Sequence, residues 1–186
     1  MRTTDTDTLI GGLQKREIVL ADYDDSWPEK YEEHASLIRD ALGETAISIE
    51  HVGSTSVPGI AAKPIIDVLV VVEDSSDESR YLPALIRAGY ELRVREPEWN
   101  EHRMLRTPEF DVHIHVFSLG CAEIGRMLAF RDRLRRSPTE RVRYESLKRE
   151  LAKKDWPDMN AYAAAKTELV ESILAEDSRS PLHDRL

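Results

Sequence analysis

The stretch that decides the fold is Ile47-Ser-Ile-Glu-His-Val-Gly-Ser-Thr-Ser-Val-Pro-Gly59, followed by Ala61-Ala-Lys-Pro-Ile-Ile-Asp-Val-Leu-Val-Val-Val72. Residues 65–72 form an almost unbroken apolar run. Such a run is typical of a strand that is buried on both faces. The segment before it is rich in Gly, Ser and Thr, and β-branched residues recur before that. The pattern therefore predicts a strand, a tight polar turn and a second, buried strand.

The polar turn has the composition of an anion-binding loop. A glycine after a strand lets the backbone come close to a ligand. Successive N–H groups and hydroxyl groups in such a turn can hold an anion, and a lysine nearby can offset its charge. The candidate phosphate-binding residues are Gly53, Ser54, Thr55, Ser56 and Lys63. The alternative is an ordinary turn capped by its own hydroxyl groups, with a solvated lysine at the edge of a strand.

Asp67 lies within the predicted buried strand. A carboxylate is rare in such a position unless it has a partner. Hard divalent cations prefer carboxylate oxygen ligands, and substrate phosphates often complete their coordination. Asp67 is therefore a candidate metal ligand, and the alternative is a structural aspartate that accepts hydrogen bonds from the turn.

A second polar pattern lies in 110–117, which alternates between polar and apolar residues. On a strand this spacing places Asp111, His113 and His115 on one face. Histidines are metal ligands or general bases near neutral pH, but two of them without cysteine partners are a weak zinc signal. The candidate catalytic and metal-binding residues are Asp67, His113 and His115, which we expect to converge beside Ser54. The alternative for the histidines is a row of side chains that faces solvent.

The composition excludes several classes of protein. The chain has 186 residues, a formal net charge of -9, and 41% hydrophobic and 33% charged residues. This negative charge argues against nucleic acid or an anionic membrane as the main partner. No apolar segment is long enough to cross a bilayer, and the N-terminus lacks the apolar core of a signal peptide. Cys121 is the single cysteine, so we expect no internal disulfide and a cytoplasmic location.

The order of the patterns predicts a mixed αβ core followed by helices. We expect a flexible lead-in at 1–14, the core at 15–120, a helical C-terminal part at 121–176 packed on the core, and a tail at 177–186. Within the core, 17–20 is a predicted short edge strand. The C-terminal helices are predicted over 122–136, 139–154 and 158–176. The cation-rich stretch 126–149 predicts solvated helix faces, with one or two arginines that reach the site.

Several motifs together resemble the GrpB family, a branch of the nucleotidyltransferase-like superfamily. The motifs are Tyr23-Asp-Asp-Ser-Trp-Pro28, Glu50-His-Val-Gly-Ser-Thr-Ser-Val-Pro-Gly59, Ala62-Lys-Pro-Ile-Ile-Asp67, His113-Ile-His-Val116 and Tyr162-Ala-Ala-Ala-Lys-Thr167. The resemblance covers about residues 16–175, nearly the whole chain. It implies an α+β fold in which helices flank a mixed, nucleotidyltransferase-like sheet. It also implies a divalent metal cofactor, Mg²⁺ or Mn²⁺ in the first place and Zn²⁺ as the alternative.

The match to the superfamily pattern is incomplete. The pattern has a Gly-Ser turn, two acidic residues two positions apart on the next strand, and a third acid on a later strand. Gly53 and Ser54 match the turn, and Asp67 matches the first acid. Leu69 occupies the place of the second acid, and His113 or His115 stands near the place of the third.

Three functions agree with these residues. The leading hypothesis is a metal-dependent, nucleotidyltransferase-like enzyme that acts on a nucleotide or another small phosphate-containing ligand. The competing hypothesis is a non-catalytic nucleotide-binding or regulatory module, which Leu69 favours. A metal-dependent hydrolase that uses the same residues is the third. The sequence leaves the substrate, the acceptor and the oligomeric state open.

Overall fold

One mixed β-sheet organises the chain. The computed structural model describes residues 9–12 and 17–179, and in this part of the chain five strands follow the order β1-β2-β5-β4-β3. Their bounds are Ser48–Val52 (β1), Ile66–Val72 (β2), Glu91–Glu96 (β3), His102–Arg106 (β4) and Val112–Ser118 (β5). The central strands β2 and β5 run parallel, and the other neighbouring strands are antiparallel. The strand–turn–strand stretch of the sequence therefore forms the neighbouring strands β1 and β2.

Helices cover both faces of this sheet. Within the described residues the α-helices are Trp27–Leu42 (α1), Leu82–Arg87 (α2), Ala122–Arg136 (α3), Pro138–Ala152 (α4), Met159–Ala164 (α5) and Thr167–Arg179 (α6). The predicted α+β class, with a mixed sheet flanked by helices and a helical C-terminal region, is confirmed.

The central strand β2 is buried on both faces, as its apolar run predicts. On one face, Val68 and Val70 pack in a cluster with side chains of α1 and α2. On the other face, Leu69 and Val71 pack with apolar side chains of α3. Burial of such side chains stabilises the fold by about 1.5–3 kcal/mol each. Asp67 is thus a polar residue at the start of a strongly apolar strand.

Capping side chains define the starts of α4 and α5. The side-chain oxygen of Ser137 accepts a hydrogen bond from the backbone N–H of Glu140 at 3.3 Å. Asp158 caps α5 in the same way through the N–H of Ala161 at 2.9 Å. Such caps satisfy N–H groups that have no partner within the helix. The single helix predicted over 158–176 is wrong, because α5 and α6 are separate helices.

The segment before α1 does not form the predicted edge strand at 17–20. Instead, Ala21 and Ala62 form an isolated antiparallel bridge, with N–H···O distances of 2.8 and 2.9 Å. This bridge holds the approach to α1 against the segment that leads into β2.

The two ends of the chain are described only in part. In the predicted lead-in at 1–14, Leu9 forms a bridge with Val94 of β3, and residues 1–8 and 13–14 lie outside the described part. Of the predicted tail at 177–186, the described residues belong to α6. No helix in the described ranges combines the length and the apolar character that a bilayer span needs.

Candidate metal and anion site

The turn after β1 lies directly against Asp67. Gly53 has φ +70° and ψ −173°, a backbone conformation that is essentially restricted to glycine. A Cβ atom on Gly53 would lie 2.2 Å from Asp67 Oδ2. The contact follows from strand pairing, because Val52, the residue before Gly53, is paired with Asp67. The turn and the acid that the sequence singled out are therefore neighbours in space.

Two hydroxyl groups of the turn stabilise its own backbone. Thr55 Oγ1 donates to the carbonyl of Ile65 at 3.1 Å and lies 3.1 Å from His51 Nε2. Ser56 Oγ donates to the carbonyl of Gly53 at 2.6 Å. Both side chains are buried. For these two hydroxyl groups the structure agrees with the alternative interpretation, in which the turn is capped by its own side chains.

His51, on β1, contacts the turn through the hydroxyl group of Thr55. Burial is the main cause that lowers the pKa of His51 to about 4, and Arg131 and Arg135 lower it further against the opposite effect of Asp67. His51 is therefore a neutral ring near neutral pH. Its contact with Thr55 Oγ1 helps to orient one hydroxyl group of the turn.

Asp67, His113 and His115 converge because β2 and β5 are parallel neighbours. Asp67 is opposite His113 in the register, and His115 lies two residues farther along the same face. Asp67 Oδ1 lies 3.6 Å from His113 Nδ1 and 3.4 Å from His115 Nε2. One ligand atom from each of the three lies within 4.8 Å of the others. Burial by itself would raise the pKa of the Asp67 carboxyl, but hydrogen bonding to the two histidines outweighs it and lowers that pKa.

Asp111 and Leu69 do not contribute to this cluster. Asp111 precedes β5, and its carboxylate contacts Lys30 Nζ at 3.0 Å and Thr107 Oγ1 at 2.7 Å. The prediction that Asp111 shares the face of the two histidines is wrong, because its side chain is held by these partners beside α1. Leu69 is fully buried in the apolar cluster under α3. The second acid of the superfamily pattern therefore has no substitute at that position.

The three side chains fit a divalent transition metal better than Mg²⁺. Imidazole nitrogens suit ions such as Zn²⁺, whereas Mg²⁺ selects oxygen ligands in a nearly ideal octahedron. Two ligands each about 2.1 Å from one tetrahedral ion lie about 3.4 Å apart. The contacts of Asp67 with His113 and His115 are close to this value. We therefore expect Mn²⁺ or Zn²⁺ to bind here more tightly than the Mg²⁺ that the sequence suggested.

A pocket of about 150 Å³ opens between this cluster and the C-terminal helices. The lining residues are Leu20, Gly53, Ser54, Thr55, Lys63, Ile65, Asp67, His113, Tyr144, Lys148, Tyr162 and Lys166. Most of the predicted site residues thus share one cavity. His115 contacts Asp67 but does not line the pocket. Ser56 also lies outside it, so its predicted contact with phosphate does not agree with the structure.

Three lysines, Lys63, Lys148 and Lys166, line the same pocket as the Asp67 carboxylate, and we call them the lysine wall. Lys148 Nζ donates to Ser54 Oγ at 3.1 Å and to the carbonyl of Ala61 at 2.5 Å. The ammonium groups of Lys63 and Lys166 lie over the ring of Tyr162, 5.3 and 4.3 Å from its centroid. In residues 17–179, none of the three ammonium groups forms an ion pair with a carboxylate. Within these residues the wall therefore carries positive charge without a direct carboxylate partner.

The lysines repel one another and are poorly solvated. Burial is the main cause that lowers the pKa of Lys148 to about 7, and the charge of Lys166 lowers it further. Burial and the charge of Lys63 likewise lower the pKa of Lys166 to about 8. Lys63 also has a lowered pKa, for which burial is the larger cause and which the charge of Asp67 partly offsets. A bound anion would relieve this repulsion, as expected of an anion-binding wall.

Tyr162 adds an unsatisfied polar group beside the lysines. Its side chain is 1% exposed, and its hydroxyl group has no hydrogen-bond partner among the residues that the structure describes. Burial raises the pKa of this hydroxyl group. Buried hydroxyl groups are nearly always paired, so an unpaired one beside a pocket indicates a site built for a ligand or for ordered water.

Local sequence patterns did not indicate the part of the pocket that the C-terminal helical region supplies. Those residues are Tyr144, Lys148, Tyr162 and Lys166. Tyr162 and Lys166 belong to the closing motif that resembles the family, which was the one available signal. Lys148 belongs to the stretch for which solvated helix faces are predicted, yet it is 2% exposed.

The predicted arginines approach the site but do not line it. Arg131 Nη1 donates to the carbonyl of His51 at 3.0 Å, and Arg135 Nε donates to the carbonyl of Ser56 at 3.0 Å. Both contacts are with backbone carbonyl groups, and neither arginine lines the pocket. These arginines therefore brace the loop from α3, and the lysines supply the charge inside the pocket.

Comparisons with known proteins agree on the family. The family model described as GrpB protein matches residues 17–176. A UPF0157 protein of Halalkalibacterium halodurans is 50% identical over 157 residues, which are 84% of this chain and 80% of that protein. The crystal structure of conserved protein GrpB from Enterococcus faecalis superposes with a TM-score of 0.75 and 34% identity. That match covers 87% of this chain and 100% of the other.

A more distant likeness is to the Cid1 poly(U) polymerase, solved with MgGTP bound. It has a TM-score of 0.48 and 13% identity, and it covers 71% of this chain and 44% of the polymerase chain. A likeness this distant does not indicate what the present chain binds. The family model and the high identity to the bacterial relative are sufficient for one conclusion. The chain belongs to the GrpB family.

Proposed function

We propose that this chain is a metal-dependent, nucleotidyltransferase-like enzyme that acts on a nucleotide or another small phosphate-containing substrate. The observation that supports the proposal most is the meeting of two complementary walls in one pocket. The sheet contributes Asp67 with two imidazoles, and Lys63, Lys148 and Lys166 contribute ammonium groups that form no ion pair with a carboxylate within residues 17–179. A divalent cation suits the first wall and a phosphate group suits the second. Phosphoryl transfer depends on both kinds of contact.

The lysines and the turn would bind the phosphate. Lys63, Lys148 and Lys166 would donate hydrogen bonds to phosphate oxygens, and the ammonium of Lys148 is already oriented by Ser54 and Ala61. Charge-assisted hydrogen bonds are shorter and stronger than neutral ones. Gly53 has no side chain, so its backbone leaves room for a ligand next to Asp67. The phosphate would therefore lie between the turn and α4.

Asp67, His113 and His115 would hold the cation. The bound ion would neutralise charge on the phosphate and polarise the phosphoryl group. His113 lines the pocket and would contact the substrate as well, whereas His115 would act from behind Asp67.

A nucleotide-binding module without transfer chemistry is the second candidate. Leu69 favours it, because that side chain is buried in an apolar cluster where the superfamily pattern has an acid. Two-metal transfer uses several hard oxygen ligands, and the cluster described here contains a single carboxylate. The same pocket would then bind a metal and a nucleotide without turnover.

A labelling experiment separates the two candidates. Calorimetry with Mn²⁺, Zn²⁺ and Mg²⁺, followed by ATP, GTP, CTP and UTP, measures binding first. Each α-³²P nucleotide is then incubated with the protein and a deproteinised cell extract as the acceptor mixture. We expect the label to move to a new compound with the wild-type protein and to stay in the nucleotide with an Asp67→Asn variant. Metal-dependent nucleotide binding without label transfer supports the binding module, and the absence of both kinds of binding contradicts both candidates.

Anion binding is expected to weaken as the pH rises. Lys148 and Lys166 have pKa values lowered to about 7 and about 8, so both are charged below these values and neutral above them. Each lost charge removes a charge-assisted hydrogen bond, and we expect about a tenfold loss of affinity between about pH 6 and about pH 9. Sulfate is a suitable probe because its charge stays constant over this range. Its stabilisation of the fold against heat, compared with chloride at equal ionic strength, reports the affinity.

The matched variants are Lys148→Met and Lys153→Met. Lys153 is an exposed lysine beside the end of α4 and pairs with Glu150. The first variant should lose the pH dependence near pH 7, and the second should keep the wild-type profile. Affinity for sulfate that is constant with pH in the wild-type protein would contradict the assignment of the lysine wall.

A further inference from the structure

A row of polar side chains crosses four strands behind the pocket. We call it the polar row, and it consists of Glu96 on β3, His102 on β4, His115 on β5 and Asp67 on β2. Glu96 Oε2 lies 2.7 Å from His102 Nδ1, and His102 Nε2 lies 3.1 Å from His115 Nδ1. His115 Nε2 in turn lies 3.4 Å from Asp67 Oδ1. The row thus links a carboxylate at the far side of the sheet to the candidate metal cluster.

The hydrogen bonds of the polar row favour one tautomer of His115. In that tautomer Nδ1 carries the proton and Nε2, which faces Asp67, carries the lone pair. The Glu96 carboxylate accepts hydrogen bonds, so His102 donates to it from Nδ1–H. When His102 is neutral it has one N–H group, so its Nε2 is then an acceptor and receives the Nδ1–H of His115. In this tautomer His115 Nε2 is directed toward Asp67 with its lone pair, as a metal ligand would be. At 3.4 Å from Asp67 Oδ1, His115 Nε2 in this tautomer is placed to share a cation with the carboxylate, whereas the opposite tautomer would donate a hydrogen bond to Asp67.

The packing around His102 holds the row in place. The His102 side chain is 7% exposed. Its ring lies nearly parallel to that of Phe117, with an interplanar angle of 22° and centroids 4.7 Å apart, and Trp99 contacts it edge-on at 5.3 Å. A buried imidazole is costly unless both nitrogens are hydrogen-bonded. Both nitrogens of His102 have partners, and one of them is a cluster residue.

We propose that Glu96 and His102 are positioning residues that hold the His115 ring with Nε2 directed at the cation bound by the cluster. Hydrogen bonds of this kind set the tautomer and the orientation of a histidine ligand and raise its basicity. The role rests on the metal site of the proposed function. It adds two residues that lie outside the pocket lining and that no motif of the sequence indicated.

Metal affinity and the state of His115 test this role separately. The variants are His102→Leu, which removes the acceptor for His115, and His102→Gln, which can place an amide oxygen close to the position of Nε2. Loss of such a partner costs about 10–100-fold in metal affinity. By calorimetry with Zn²⁺ and Mn²⁺ we expect at least about a tenfold loss for His102→Leu and wild-type-like binding for His102→Gln. A His34→Leu variant is the control, because His34 contacts Tyr90 and lies on α1.

¹⁵N nuclear magnetic resonance of the Zn²⁺-loaded wild-type protein gives a result that does not depend on any variant. We expect the proton of His115 on Nδ1 and the ion on Nε2. The opposite arrangement overturns the positioning role, as does wild-type affinity in a folded His102→Leu variant. A wild-type protein that binds neither Zn²⁺ nor Mn²⁺ overturns the proposed metal site itself, so the two failures are distinguishable.

Discussion

Replacement of Asp67 by Asn is expected to reduce the affinity for Mn²⁺ and Zn²⁺ by at least about 100-fold, since a ligand matters more than the outer partners that are worth 10–100-fold. Asp67 is the only carboxylate of the cluster, and both histidines are grouped around its Oδ1. An amide has nearly the same shape but no charge, so it is a much weaker ligand for a cation. Calorimetry measures the change directly, and label transfer should be lost in the same variant.

Asp111→Asn is the matched control for this prediction. Asp111 precedes the same strand as the two histidines but contacts Lys30 and Thr107 instead of the cluster. Its exposed ion pair is worth about 1 kcal/mol or less, so the variant should fold and bind metal like the wild-type protein. Equal losses of metal affinity in the two variants would mean that the overall negative charge of the protein, and not the cluster, attracts the cation.

Replacement of Gly53 by Ala is expected to lower the free energy of unfolding by about 3 kcal/mol or more, because strain and overpacking each cost about 1–3 kcal/mol. The new Cβ would lie 2.2 Å from Asp67 Oδ2 and 3.0 Å from Asp67 Cβ. If the fold survives, Asp67 must move away from the turn, and metal affinity should fall as well. Denaturant unfolding gives the stability, and calorimetry on the folded fraction gives the affinity.

Gly59→Ala provides the comparison that isolates the contact with Asp67. Gly59 also has a positive φ, +80°, but nothing lies within 4 Å of the Cβ that alanine would add. A positive φ alone costs about 1–2 kcal/mol. The difference between the two variants therefore measures the contact between Gly53 and Asp67. A Gly53→Ala variant that is no less stable than Gly59→Ala would contradict the close approach.

The C-terminal helices complete the site as well as the fold. Val57 and Ile60, which follow the turn, pack in one apolar cluster with Leu134 of α3, Tyr144 of α4 and Ile173 of α6. This packing places Lys148 next to Ser54. A change in the packing of the helices would therefore move Lys148 relative to Ser54 and alter the pocket.

Local patterns were sufficient for the half of the site that lies on the sheet. The turn follows β1, and Asp67 lies on β2, the next strand of the chain and the partner of β1. His113 and His115 stand out because alternation along a strand has a fixed period of two. The spatial meeting of Asp67 with the histidines needed only the expectation that their strands are neighbours.

Lys148, Lys166, Glu96 and His102 were beyond local patterns. A lysine on a helix with a mixed charge pattern is normally solvated, and only the docking of α4 against the turn buries Lys148. The partners of His102, Glu96 and His115, are fixed by the pairing of β3, β4 and β5. Such pairings join residues that no periodicity relates.

By itself, the sequence determined the sheet-borne turn, its acid and its histidines, because hydrophobic periodicity and glycine chemistry act over a few residues. The tertiary structure alone decided three further features: the placement of Lys148 and Lys166 beside Lys63, the burial of the Tyr162 hydroxyl group without a hydrogen-bond partner among the described residues, and the polar row behind His115. The physical reason is that burial, lowered lysine pKa values and hydrogen-bond partners across strands exist only after distant segments have packed together.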